Sequence, residues 1–177
     1  GRNGMNHDPA SKIKTFIETI DAGVGVRADV AFFKFCFVDI TAHTDVAALF
    51  ASYRAAMEDL RRRYPRLVIV HVTVPLTTVQ RGWKAVAKKA AGRAPDNYVD
   101  NLRRSEYNAL LRTAYAGREP VYDLAEAEST AVSGSIEEHT FGGRSFRALV
   151  PAYTNDGGHL NDLGRRYAAL GLLRVLG

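Results

Sequence analysis

Two apolar runs constrain this chain more than anything else in it: Val30–Ile40, with AFFKFCFV at its centre, and Leu67–Val74, LVIVHVTV. A strand with one wet face alternates apolar and polar residues. Neither run does, so each reads as a β-strand buried on both faces, as in a parallel sheet. Between them Val46, Leu49, Phe50, Tyr53, Met57 and Leu60 recur at helical spacing, over a segment from Thr44 to about Arg63. Asp45 opens that segment and Arg61, Arg62 and Arg63 close it, in the sense the helix dipole favours. Strand, helix, strand within about 45 residues is a βαβ unit, which places the chain in the α/β class with a parallel sheet.

The rest of the sequence extends that pattern. Ile13, Phe16, Ile17 and Ile20 lie on one face of an N-terminal helix that Asp8 or Ser11 can cap, and Gly23 and Gly25 end it. Thr77–Asn97 is a basic, Gly- and Pro-containing excursion with room for one short helix, and it reads as a mobile or substrate-facing loop. A long helix is expected from about Tyr98 to Ala116, then a short third parallel strand at Pro120–Leu124, and a last helix capped by Asn161 or Asp162. Between residues 125 and 150 the signals are a helical turn at Ala125–Thr130 and loops at Ser133-Gly134-Ser135 and Gly142-Gly143. Residues 1–177 read as a single domain.

Composition narrows the possibilities. With 46% hydrophobic and 24% charged residues the chain is neither disordered nor coiled-coil. No apolar run approaches the ~18 residues that would cross a bilayer, so no membrane span is expected. Cys36 is the sole cysteine and cannot form an internal disulfide. The five histidines show neither HExxH nor His-x-His spacing, so no metal is expected. The net charge of +5 comes without any nucleic-acid-binding motif, so nucleic acid is not expected as a partner. Trp83 with its neighbouring lysines, and Arg61–Arg63, read most simply as solvated surface.

In open α/β sheets chemistry sits at the carboxyl ends of the strands. There the most informative segment is Asp156-Gly157-Gly158-His159-Leu160-Asn161, with Gly164 in the helix that follows. A carboxylate three residues before an imidazole can orient it from the same loop, fix its tautomer and leave the other ring nitrogen as a general base. This block resembles the last conserved block of the SGNH (GDSL-type) hydrolases. The element order is similar too: a strand ending in VTVPL, a helix with Tyr107-Asn108-Ala109-Leu110-Leu111, and a short strand ending Val121–Leu124 before the Asp-x-x-His loop. The resemblance spans roughly Asp29 to Gly177. It implies a three-layer, flavodoxin-like α/β/α sandwich and hydrolysis of acyl esters, acetyl esters of carbohydrate among them, by a Ser-His-Asp triad. His159 would be the base and Asp156 its partner, with no cofactor and with a small-molecule or glycan ester as substrate.

The chain departs from that family at two places. No serine follows a first strand in a Gly-Asp-Ser-like turn: Ser52 and Ser105 lie in expected helices, and Ser129, Ser133, Ser135 and Ser145 follow the third strand. The nucleophile is therefore expected upstream of Gly1, on a first strand that this chain lacks. Where the family places an asparagine before an aspartate, Val38 precedes Asp39, and a valine side chain donates nothing to an oxyanion. Gly1-Arg2-Asn3-Gly4 is similar to the family's second block, which makes Asn3 and Gly4 candidates for the oxyanion and substrate site. A catalytically inactive carbohydrate-binding module of the same fold is the alternative reading, with the basic stretch Arg81–Arg93 beside its cleft.

Overall fold

The computed structural model describes residues 4–176. Helix α1 (Pro9–Thr19) starts with proline at its first turn, and the Asp8 carboxylate accepts the Ser11 N–H at 3.0 Å. The chain then turns through Ile20–Val24 and one short helix, α2 (Gly25–Arg27), into strand β1 (Val30–Phe33). Helix α3 (Val46–Arg63) is capped by Asp45, which accepts the Ala48 N–H at 3.0 Å, and leads to β2 (Val68–Val72). After α4 (Gly82–Ala90) and α5 (Tyr98–Tyr115) come β3 (Val121–Tyr122), α6 (Leu124–Ser129), the strands β4 (Glu138–Phe141) and β5 (Arg144–Arg147), and α7 (Asp162–Leu176).

The first three strands form a parallel sheet in the order β1-β2-β3, with Val30 opposite Val68, Phe33 opposite His71 and Val72 opposite Tyr122. Successive side chains point to opposite faces. On one face Ala31, Phe33 and Ile69 meet the apolar sides of α1, α3 and α5, where Ile13, Phe50, Tyr53, Met57, Tyr107 and Leu111 are buried. Aromatic rings dominate this layer: Phe33 and Phe35 meet edge to face with centroids 4.9 Å apart, and Phe35 meets Tyr107 at 5.5 Å. On the other face Val70, Val72 and Tyr122 pack against Ala168, Leu172 and Val175 of α7. Helices thus cover both faces, but unequally. Val30, Phe32 and Val68, on the side of α7, remain 39%, 42% and 44% exposed, and the outer edge of β1 has no strand partner among the described residues.

The mixed α/β class and the parallel sheet agree with the sequence pattern; several boundaries do not. The strand expected over Val30–Ile40 stops at Phe33, because Asp39 pulls the chain into a turn at Phe37–Asp39. Its carboxylate accepts the Cys36 N–H at 2.7 Å and the His7 N–H at 3.1 Å, and forms a buried ion pair with Lys12 at 2.6 Å. Between residues 138 and 147, where only loop signals were legible, β4 and β5 make an antiparallel hairpin. Gly142 and Gly143 turn it with φ of +59° and +73°, the doubly positive geometry that a two-residue hairpin turn favours.

Beyond Val72 the chain runs on without a strand partner, and side chains replace the missing ladder. Asn108 accepts the Val74 N–H at 2.7 Å and donates to the Val74 carbonyl at 3.0 Å. Glu128 accepts the Leu76 N–H at 2.7 Å, and Asn101 donates to the Thr77 carbonyl at 2.7 Å. All three side chains are almost fully buried. Changing Asn108 to leucine is expected to strand two buried backbone groups and to lower unfolding free energy by about 2–4 kcal/mol. A urea midpoint unchanged from wild type would refute that accounting.

Candidate active site

The site is assembled where β1 and β2 end. Asn161 begins α7: its side-chain oxygen accepts the Gly164 N–H at 3.1 Å and its amide donates to the Ala152 carbonyl at 3.0 Å. Gly164 is required by contact, since a Cβ there would lie 2.6 Å from the Tyr153 carbonyl oxygen. A bridge between Thr154 and Leu160 closes the loop that holds residues 155–159. Within it the Thr154 hydroxyl accepts the Gly157 N–H at 3.0 Å and lies 3.1 Å from Asp156 Oδ1. Asp156 Oδ1 also accepts the N–H groups of Gly158 and His159, at 2.9 and 2.8 Å. Its other oxygen, Oδ2, meets His159 Nδ1 at 2.7 Å.

The carboxylate and the imidazole are therefore hydrogen-bonded to each other. The two backbone N–H donors, with the imidazole after them, hold the Asp156 carboxyl well below the usual carboxylate range, so it is ionised at any ordinary assay pH. With Nδ1 occupied, Nε2 is the ring nitrogen left for chemistry. Both side chains are exposed, at 75% for His159 and 57% for Asp156.

Neighbouring elements fix the loop. The Gly157 carbonyl accepts the Thr78 N–H at 2.8 Å, which ties the loop to the segment after β2. Gly157 has φ of +89°, and a Cβ there would sit 2.8 Å from Thr78 Oγ1. Gly157→Ala is accordingly expected to cost about 1–3 kcal/mol of stability through backbone strain, read as a lower thermal midpoint. Phe37, from the turn after β1, meets the His159 ring edge to face with centroids 5.3 Å apart. These residues, with His7, Val38 and Arg104, line a cleft of about 460 Å³.

Arg104 carries no motif in the sequence, and it lies under this cleft. It is 3% exposed, and its guanidinium is solvated by protein oxygen: the carbonyls of Phe37 and Ile40, each 3.1 Å from Nε, and Thr77 Oγ1 and Asn101 Oδ1, each 2.8 Å from Nη1. Burial lowers its pKa to about 10, which still leaves it cationic at neutral pH. The signal for it was a polar stripe, Asn101, Arg104 and Asn108 at i, i+3 and i+7, on a helix face that otherwise carries Leu111 and Tyr115. Polar residues at core positions of a helix imply partners elsewhere in the fold.

The other candidates fall differently. Asn3 lies outside the described residues. Gly4, at φ of +73°, packs on Lys12, where a Cβ would approach the backbone to 2.7 Å, and it does not line the cleft. From that N-terminal segment it is His7 that lines the cleft, and Val38 presents an apolar side chain to it. No serine lines the cleft among the described residues; its hydroxyl-bearing side chains are Thr41, Thr77 and Thr78. Asp123 caps α6 by accepting the Glu126 N–H at 3.1 Å and pairs with Arg112 at 2.6 Å, a structural use. No three of His, Cys, Asp and Glu are grouped to hold a metal ion among the described residues. None of the described helices is long and apolar enough to cross a membrane.

No protein-family profile and no curated protein matches this sequence. Solved structures do match in fold. A candidate platelet activating factor from Streptococcus pneumonia superposes with a TM-score of 0.59 over 93% of this chain and 68% of that one, at 19% identity. The C-terminal domain of the Drosophila Oskar protein superposes with a TM-score of 0.50 over 83% of this chain and 61% of that one, at 13% identity. At such identities the likeness is one of fold: an α/β architecture with a parallel sheet shared across proteins of different description.

Proposed function

We propose that the chain is the larger part of an SGNH-type serine hydrolase, a three-layer α/β/α domain that cleaves acyl esters, with acetyl esters of carbohydrate the first substrates to test. The observation that carries this reading is the 2.7 Å contact between His159 Nδ1 and Asp156, set in a cleft at the carboxyl ends of the strands. In this mechanism His159 Nε2 takes the proton of a serine hydroxyl as that oxygen attacks the ester carbonyl. The same nitrogen returns the proton to the leaving alcohol, and water then cleaves the acyl-enzyme by the reverse roles. Asp156 holds the ring in the required tautomer and stabilises the imidazolium. The Arg104 cation at the floor of the cleft favours the negative charge that develops on the substrate oxygen.

The serine belongs, in this reading, to a segment outside residues 1–177. The unpaired edge of β1 supports it. Parallel strands are normally covered on both faces, yet Val30, Phe32 and Val68 remain partly exposed, and a groove of about 490 Å³ runs between α1 and β1. A further parallel strand laid along that edge would end beside Phe37 and so bring its last residues toward His159. Fluorophosphonate labelling tests this directly. A protein extended at its N-terminus is expected to label on one serine ahead of residue 1, and the 177-residue chain alone is expected not to label. An extended protein that stays unlabelled but binds acetylated oligosaccharide saturably would replace this reading with the carbohydrate-binding one.

A further inference from the structure

Helix α4 is amphipathic in the reverse sense for a surface helix. At 3.6 residues per turn Trp83, Val86, Ala87 and Ala90 form one stripe, at i, i+3, i+4 and i+7. That stripe faces outward: Trp83 is 76% and Val86 67% exposed, while Ala85, on the opposite side, is the residue buried against the protein. Basic side chains border it, Lys84 and Lys88 on one flank, Lys89 on the other, and Arg81 and Arg93 beyond the two ends. Lys88 pairs with Asp96 at 2.6 Å and Arg81 pairs with Glu137. Lys84 lies 5.8 Å from the Trp83 ring and Lys89 4.7 Å from the Tyr98 ring; neither they nor Arg93 form an ion pair with a carboxylate among the described residues.

The excursion that carries α4 is closed at its base, where the Gln80 N–H donates to the Asp96 carbonyl at 3.2 Å and the Asn97 amide donates to the Thr78 carbonyl at 2.8 Å. Thr78 and Asn97 both line the cleft, so α4 stands at its rim.

We propose that α4 docks this protein on an anionic lipid bilayer, with Trp83 and Val86 entering the headgroup region and Lys84, Lys89 and Arg93 pairing with lipid phosphates and carboxylates. An indole and an aliphatic side chain flanked on both sides by cations fit a planar surface that is apolar within and anionic at its rim. An acidic polysaccharide answers the charge but offers Val86 no apolar phase. A stripe of four residues, two of them alanine, is far smaller than the roughly 20–30 residues a stable protein interface uses on each side. The inference is independent of the proposed hydrolase chemistry.

Trp83 is the sole tryptophan, so its fluorescence reports this helix alone. With vesicles of phosphatidylcholine and phosphatidylserine, the expected result is a blue shift of Trp83 emission and co-sedimentation, both reversed by high salt, and neither with phosphatidylcholine alone. The triple variant Lys84→Glu, Lys89→Glu, Arg93→Glu is expected to lower the partition coefficient by about a hundredfold. Trp83→Ala should weaken co-sedimentation as well, and both variants should keep the wild-type circular dichroism because the altered side chains are on the surface. Absence of binding to the anionic vesicles, equal binding to both compositions, or a Trp83 shift produced by polygalacturonate and not by vesicles would each overturn the proposal.

Discussion

On the proposed hydrolase reading, replacing His159 by alanine, in a protein extended to include the proposed serine, is expected to lower kcat/KM for p-nitrophenyl acetate by about four orders of magnitude or more. The loss follows from geometry: Nε2 is the ring nitrogen left by the Asp156 contact, and no other imidazole in the cleft is held by a carboxylate in this way among the described residues. His7 also lines the cleft, but its bond to Asp39 is made by the backbone N–H, and no carboxylate meets its ring among the described residues. Asp156→Asn should cost about as much while keeping the loop, because an amide oxygen still accepts the Gly158 and His159 N–H groups although its other end no longer fixes the tautomer. Since Asp156 is ionised throughout the working range, the acidic limb of the rate profile should not move with it. Full activity after His159→Ala would end the hydrolase reading.

The second large effect is on stability. Glu128 of α6 is 3% exposed, and burial raises its pKa from 4.5 to about 8, against the opposing pull of the Leu76 N–H. Between those values the folded protein keeps a proton that the unfolded chain has released. Stability from this group is therefore complete below about pH 4.5, declines as pH rises and is lost once pH passes about 8. Each tenfold difference in proton affinity between the folded and unfolded chain is worth roughly 1.4 kcal/mol, so the loss amounts to a few kcal/mol. Glu128→Gln cannot ionise, and its amide oxygen can still accept from Leu76. The variant should match wild type near the bottom of that range and exceed it by a few kcal/mol at about pH 8, measured by urea unfolding at both ends. Parallel profiles for the two proteins would show that Glu128 is not the group responsible.

Burial of Glu128 also explains why parts of this molecule are not legible in its sequence. The pairing of Asp156 with His159 can be read because both members lie on one turn of chain, where three residues of separation and two glycines determine the geometry. The same holds for the Asp45 cap and for the βαβ unit, whose apolar periodicities are local. The clamps on the segment after β2 reach across the chain: Asn108 to Val74, Asn101 to Thr77, Glu128 to Leu76 and Arg104 to Thr77. Nothing in the spacing of those residues names their partners. Likewise β1 ends at Phe33, short of the turn in which Asp39 meets Lys12, a pairing between segments far apart in sequence, and so the apolar run continues past the end of the strand.

Trp83 shows the same division at the surface. As a sequence, GWKAVAKKA is equally consistent with a solvated loop or a helix with its apolar side inward. Only the placement of Ala85 against the protein turns the indole outward.

By itself, then, the amino-acid sequence determined the class of fold, the order of its main elements and the local coupling of Asp156 to His159, since each depends on contacts within a few turns of chain. The tertiary structure decided what surrounds that pair: Phe37 against the imidazole, Arg104 beneath the cleft, Gly4 packed on Lys12 outside the lining, and an edge of β1 with no strand partner among the described residues. Those are long-range packing outcomes, set by which buried polar groups find partners and which apolar faces are left uncovered.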